Sequence, residues 1–141
     1  MLPLKKGTAL SVCGEFAAPT DFGKVSGGGS SLVQWLGEKY DLAGILKEKL
    51  KGTVDYFRAF GDFGLISEGS DIRNLFDFVR LSDVNIVCAG TGCVIEGEGF
   101  DRAGLRLTSR QEEMILRTAE INPNTVVVLT AGSGGCQRLE R

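Results

Sequence analysis

The chain has 141 residues, enough for one domain and too few for a second of full size. Apolar residues make up 43% and charged residues 24%, and the formal net charge is −2, so there is no basic excess to neutralise phosphates or anionic lipid. Nucleic acid and membrane surfaces are therefore not expected partners, and no uncharged apolar run is long enough to cross a bilayer.

The run Thr8-Ala9-Leu10-Ser11-Val12-Cys13 ends at Gly14 and has the pattern of a buried strand. The stretch from Pro19 to Ser31, with Gly23, Gly27, Gly28 and Gly29, predicts a loop with many exposed amides. Asp41 then opens an amphipathic helix that places Leu42, Ile45, Leu46 and Leu50 on one stripe, with Gly52 where a C-terminal cap belongs. Val54, Tyr56, Arg58 and Phe60, with Phe57 between them, predict a short second strand. Ser70 is placed to cap a helix carrying Ile72, Leu75, Phe76 and Val79 at helical spacing.

Val84-Asn85-Ile86-Val87-Cys88-Ala89 follows, apolar enough for a strand covered on both faces. A glycine-rich acidic segment then runs from Gly90 to Arg102. Thr108 and Ser109, with Gln111 and Glu112 three residues further on, form overlapping capping boxes for a helix bearing Met114, Ile115, Ala119 and Ile121. Asn122-Pro123-Asn124 stops that helix, and Thr125-Val126-Val127-Val128-Leu129-Thr130 is the last strand. Strands alternating with helices of crossover length predict an α/β layered sheet of mostly parallel strands with helices on both faces. The tail from Gly134 to Arg141 offers no further strand, so the sheet is expected to be incomplete at its C-terminal end.

Histidine is absent, which excludes Ser-His-Asp and Cys-His catalysis within this chain. Cys13, Cys88, Cys93 and Cys136 form no CxxC pair, and a structural role is expected for them; neither a metal site nor a cofactor is. In open parallel sheets ligands gather at the carboxyl ends of strands, which singles out the loops after Gly14, after Gly90 and after Gly132. The middle loop holds Glu98 between Gly97 and Gly99, where a tight turn exposes the carboxyl group. Held near Phe100 and partly desolvated, that carboxyl would have a raised pKa, as a general acid needs near neutral pH. Asp101 beside Arg102 is expected to stay ionised as a structural pair.

The segment Glu96-Gly97-Glu98-Gly99-Phe100-Asp101-Arg102, then Leu105, Leu107 and Gln111, resembles the second domain of family-three glycoside hydrolases, the β-glucosidase group. Asn122-Pro123-Asn124-Thr125-Val126-Val127-Val128-Leu129 with Ala131-Gly132 resembles it too, as do Leu2-Pro3-Leu4-Lys5 with the strand to Gly14 and Gly28-Gly29-Ser30-Ser31. The resemblance runs to about Gly132, which implies a partial C-terminal domain over residues 1–132 and a divergent tail over 133–141, as in a truncated or frame-shifted chain. It implies a retaining β-glycosidase whose nucleophilic aspartate lies on a separate barrel domain, and it maps the general acid/base onto Glu98. The expected partners are that barrel and a β-glycoside, a β-glucoside before a β-xyloside, with self-association possible for the chain by itself. On that reading the chain alone is inactive, because a barrel of about 250 residues cannot fit within it.

Other residues have plainer readings. Glu96 tunes the loop, and Gly28, Gly29 and Ser30 form a turn or approach the sugar edge. Trp35 and Tyr40 are aromatics of a core or domain interface before they are sugar platforms. Two other functions compete. One is a non-catalytic docking or pseudo-enzyme module. The other is a nucleotide-binding doubly wound domain, weakened by the lack of a third glycine after Gly90-Thr91-Gly92 and by three nearby carboxylates. The opening Met1-Leu2-Pro3-Leu4-Lys5-Lys6 is not a secretory signal, so the chain as it stands reads as cytoplasmic; the native compartment stays open, since any signal would precede the barrel.

Overall fold

The computed structural model describes residues 2–17, 42–57, 70–91, 99 and 102–131. Four strands make one parallel sheet in the order β2-β1-β3-β4, with β1 Leu10–Cys13, β2 Val54–Phe57, β3 Val84–Gly90 and β4 Thr125–Thr130. Between them run α1 Leu42–Leu50, α2 Ser70–Leu81 and α3 Ser109–Ile121, and a short 3₁₀ turn, Glu15–Ala17, follows β1. The layered α/β architecture is the expected one.

The alternation of side chains along each strand divides the core into two halves. On one face Leu10, Val12, Val84, Ile86 and Cys88 meet Leu50, Leu42, Ala43 and Leu46 of α1, along with Phe16 and Ala17. On the other face Cys13, Val87 and Ala89 meet Leu75 and Val79 of α2 and Met114 and Ile115 of α3. Helices therefore cover both faces, and β3 is buried along its whole length, as its uninterrupted apolar run predicts. Each fully buried Val, Leu or Ile side chain contributes about 1.5–3 kcal/mol relative to leaving it in water.

A buried polar network closes the amino end of the sheet. The Asn122 carboxamide, at the C-cap of α3, donates to the carbonyls of Val79 and Ser82 at 3.0 and 2.9 Å and accepts the Asn124 N–H at 3.0 Å. Asn85, fully buried in β3, donates to the Thr125 hydroxyl at 3.2 Å and accepts from Ser11 at 3.0 Å. Two helix ends and three strands are thus joined through groups that would otherwise be buried without partners.

Local details depart from expectation at two places. Lys51, not Gly52, takes the left-handed conformation after α1, with φ 53°. Gly52 is required for space instead: a Cβ there would lie 2.3 Å from the Thr8 carbonyl oxygen. Ser70, expected before α2 as its cap, is its first residue. The second strand is described as far as Phe57, so the expected contributions of Arg58 and Phe60 lie outside the described residues, as do Cys93, Cys136 and the tail from 132 to 141.

Among the described residues β4 pairs only with β3, and Val128 and Leu129 are exposed on it. An apolar edge of this kind invites pairing with another chain. Self-association through β4 is expected, and Val128→Lys should shift the chain towards monomer in sedimentation equilibrium; a wild-type chain that is monomeric at every concentration would exclude it.

Cys13 and Cys88 are free and buried, in agreement with a structural role. Burial pushes the Cys88 thiol from 9.0 up to about 12, and it raises Cys13 as well, with the Cys88 charge adding to the effect. The unfolded chain releases these protons near 9.0, whereas the folded chain still holds that of Cys88 until about 12. Between those values the folded state binds more protons, so stability that is intact below the lower value is lost as pH rises through the window. Urea unfolding from pH 8 to about 11 should show a falling midpoint, and a Cys13→Ala/Cys88→Ala variant should show a shallower fall.

Candidate active site

The strand order reverses between β1 and β3. From β1 the chain proceeds to β2 on one side, and from β3 it proceeds to β4 on the other. The loops after β1 and β3 therefore diverge at their carboxyl ends, and an open parallel sheet forms its ligand crevice at such a switch point. Glycines make the two strands end closely packed. Gly14 has φ 104°, and a Cβ on it would lie 2.0 Å from the Cys88 carbonyl oxygen. Its N–H donates to the Phe57 carbonyl at 3.1 Å, and its own carbonyl accepts the Tyr56 hydroxyl at 3.2 Å. At the end of β3, a Cβ on Gly90 would lie 1.9 Å from the Thr130 carbonyl oxygen.

The segment after β3 leaves under unusual restraint. β1 pairs with β3 only as far as Val87, three residues before Gly90. At Gly90 a side chain takes over: Gln111 Nε2 donates to the Gly90 carbonyl at 3.0 Å, and Gln111 Oε1 accepts the Gly90 N–H at 3.3 Å. The next N–H, that of Thr91, donates to the Thr130 carbonyl at 2.9 Å. The Thr91 hydroxyl is buried and has no hydrogen-bond partner among the described residues.

The chain returns to the sheet through Leu107, which is buried, and Thr108, whose hydroxyl accepts the Gln111 N–H at 3.3 Å as the N-cap of α3. Arg106 and Glu112 form a two-pronged ion pair, Nε to Oε1 at 3.0 Å and Nη2 to Oε2 at 2.8 Å. Thr108 caps α3 as expected, whereas Ser109, expected as the cap of an overlapping box, is the helix's first residue, and the Gln111 and Glu112 side chains reach Gly90 and Arg106.

Glu98, the expected acid/base, lies outside the described residues, and so do Glu96, Phe100, Asp101, Gly28, Gly29, Ser30, Trp35 and Tyr40. Gly99, which follows Glu98, is exposed and has φ 89°, a conformation that side chains disfavour. Arg102 is half-buried. Sequence reasoning missed the Gln111 contact with Gly90. Its available signal was a polar residue at the head of the buried series Gln111, Met114, Ile115, Thr118 on α3.

The family model described as the glycosyl hydrolase family 3 C-terminal domain matches residues 1–135. The chain belongs to this family. Among curated relatives, a β-glucosidase of Rhizobium radiobacter is 35% identical over 101 residues, which is 72% of this chain and 11% of the relative. The thermostable β-glucosidase B of Acetivibrio thermocellus is 32% identical over 138 residues, 94% of this chain and 17% of the relative. Among solved structures, the family 3 β-glucosidase of Bifidobacterium adolescentis superposes with a TM-score of 0.72 at 28% identity, covering 95% of this chain and 19% of that one. The β-glucosidase of Listeria innocua superposes with a TM-score of 0.71 at 23% identity, over 94% and 17%. This chain thus spans less than a fifth of the length of these proteins.

The tight approach at Gly90 carries its own test. Gly90→Ala should destabilise the domain by about 1–3 kcal/mol, because β3 and β4 must part to admit a methyl group. Gly104→Ala, where nothing lies within 4 Å, should be close to neutral in the same urea titration.

Proposed function

We propose that this family 3 domain supplies the general acid/base, Glu98, to a retaining β-glycosidase whose nucleophilic aspartate is carried by a barrel domain. The observation that supports the reading is where β3 ends: the segment of sequence that holds Glu98 follows Gly90 of this interior strand at the switch point, with Gly90 held by Gln111 and, beyond the segment, Arg106 held by Glu112. Family membership and the β-glucosidase names of the relatives support a β-glucoside as the substrate.

The chemistry divides between two carboxyl groups about 5–5.5 Å apart. The barrel aspartate attacks the anomeric carbon while Glu98, as the acid, gives its proton to the departing glycosidic oxygen. Glu98, now a carboxylate, takes a proton from the water that hydrolyses the glycosyl-enzyme, which returns both groups to their starting states. Glycines flanking Glu98 suit a carboxyl presented on a loop tip, and Gly99 has the left-handed backbone that such a tip uses.

The chain alone should not turn over aryl β-glucosides, because it lacks the nucleophile. Fused behind a family 3 barrel in place of the corresponding segment of the Acetivibrio thermocellus enzyme, it should support hydrolysis. In that fusion Glu98→Gln should lower kcat by about 10²–10⁴-fold on a substrate with a poor leaving group. The loss in kcat/KM, which reports the glycosylation step, should be far smaller on 2,4-dinitrophenyl β-glucoside, whose leaving group departs without protonation. Added azide should accelerate turnover there by replacing the water that Glu98 no longer deprotonates. A folded fusion without turnover, or a Glu98→Gln variant as active as the parent on both substrates, would refute the assignment.

A further inference from the structure

We propose that Gln111 is a positioning residue for proton transfer, holding the point at which the Glu98 loop leaves the sheet; the inference rests on the reading of Glu98 as the acid/base. Two consecutive peptide groups are fixed there from different directions. Gln111 engages both the N–H and the carbonyl of Gly90, at 3.3 and 3.0 Å, and β4 accepts the Thr91 N–H at 2.9 Å. Gln111 is 2% exposed and sits in a face of α3 otherwise made of Met114, Ile115 and Thr118. An apolar residue could fill the space, but it would leave the Gly90 N–H and carbonyl, which β1 does not reach, without the partner that Gln111 gives them. A flat carboxamide with one donor and one acceptor, both directed at one residue, fixes the tilt of the backbone as well as its location.

The returning end of the loop is held by the neighbouring residue. Glu112 grips Arg106 with two bonds of 3.0 and 2.8 Å, so consecutive residues in the first turn of α3 restrain both ends of the Glu98 loop. The two grips are unequal. The Arg106 side chain is 70% exposed, and an ion pair so open to solvent restrains weakly. The Gln111 bonds are shielded from water, and they set where the loop begins. A reacting group displaced by about 1 Å can lose about 10²-fold in rate, so a tilt at Gly90 that displaced Glu98 by that much would impair proton donation.

A staple that served stability alone would lower the melting temperature and leave the chemistry unchanged. The two roles separate in the barrel fusion by comparing Gln111→Met, Thr118→Val and Glu98→Gln on 4-methoxyphenyl and 2,4-dinitrophenyl β-glucosides. Thr118 is buried in the same helix face, and its hydroxyl bonds to the helix's own Met114 carbonyl at 2.7 Å, so its replacement disturbs α3 away from the loop. Gln111→Met should lower kcat/KM by about 10–10²-fold on the methoxyphenyl glucoside and by much less on the dinitrophenyl one, since kcat/KM reports the step in which the leaving oxygen is protonated. Thr118→Val should leave the ratio of the two rates as in the parent. Should the methionine variant fail to fold, Gln111→Asn keeps a carboxamide but shortens it by one methylene, so that it no longer closes on Gly90; it should move the ratio in the same direction.

Equal slowing on both glucosides, no slowing at all, or the same ratio change from Thr118→Val would overturn the role of Gln111 while Glu98→Gln still behaves as an acid/base variant. A Glu98→Gln variant indifferent to the leaving group, or a folded fusion without turnover, would overturn both readings together.

Discussion

Every residue of β3 is buried, and a buried strand must find a partner for each N–H and C=O it carries. Along the middle of β3 the neighbouring strands suffice, with β1 pairing from Val84 to Val87 and β4 from Asn85 to Gly90. At the amino end the Val84 and Asn85 N–H groups donate to the Ala9 and Asn124 carbonyls, and a carboxamide holds the chain beside each end of the strand. Asn122 ties the turn before β3 to the end of α3 by accepting one N–H and donating to two carbonyls. Gln111 does the equivalent at the carboxyl end by closing on Gly90. The two residues stand in the first turn and at the C-cap of α3, so this one helix and its cap hold both the turn before β3 and the strand's last residue. The rest of the fold is arranged around that pairing of β3 with α3.

This arrangement explains which parts of the fold could be read from sequence. Strands β1 and β3 are apolar runs buried along their whole length, which leaves little else for such runs to be, and β4, though Val128 and Leu129 on it are exposed, is marked by its β-branched run from Thr125 to Thr130. Helix α3 was marked by Thr108 and by the break at Asn122-Pro123-Asn124. What periodicity could not convey was the polar half of the core. Gln111 and Thr118 lie on the buried face of α3 but count as hydrophilic in any apolar pattern, and each is satisfied by a contact that depends on tertiary placement or on the helix backbone. Gly52 shows the opposite failure. A glycine after a helix suggests a left-handed cap, yet the need at that position is for clearance from the Thr8 backbone, and Lys51 adopts the left-handed turn. The candidate acid/base was found through the order of its neighbours, Glu98-Gly99-Phe100-Asp101-Arg102, a pattern of identity that no hydrophobic period encodes.

The division of labour in the proposed enzyme follows from the same geometry. A parallel sheet gathers its loops at one end, and here the two loops at the switch point leave from glycines packed against a neighbouring carbonyl. Such a face fixes where the loops begin. A domain of this kind is suited to delivering one carboxyl group into a crevice whose other walls are made elsewhere, and to doing so without contributing the nucleophile. The retaining mechanism asks for that separation, since its two carboxyl groups must approach the sugar from opposite faces of the scissile bond.

The two thiols have a use that is independent of catalysis. Cys13 belongs to the layer formed with α2 and α3, and Cys88 belongs to the layer formed with α1. The strands that carry them are hydrogen-bonded neighbours. Each thiol is therefore a native label for one side of the sheet, shielded from alkylating reagents until that side opens. Differential labelling by mass spectrometry would show whether the layer of α1 peels away before the layer of α2 and α3, a distinction that a single spectroscopic melting curve merges into one transition.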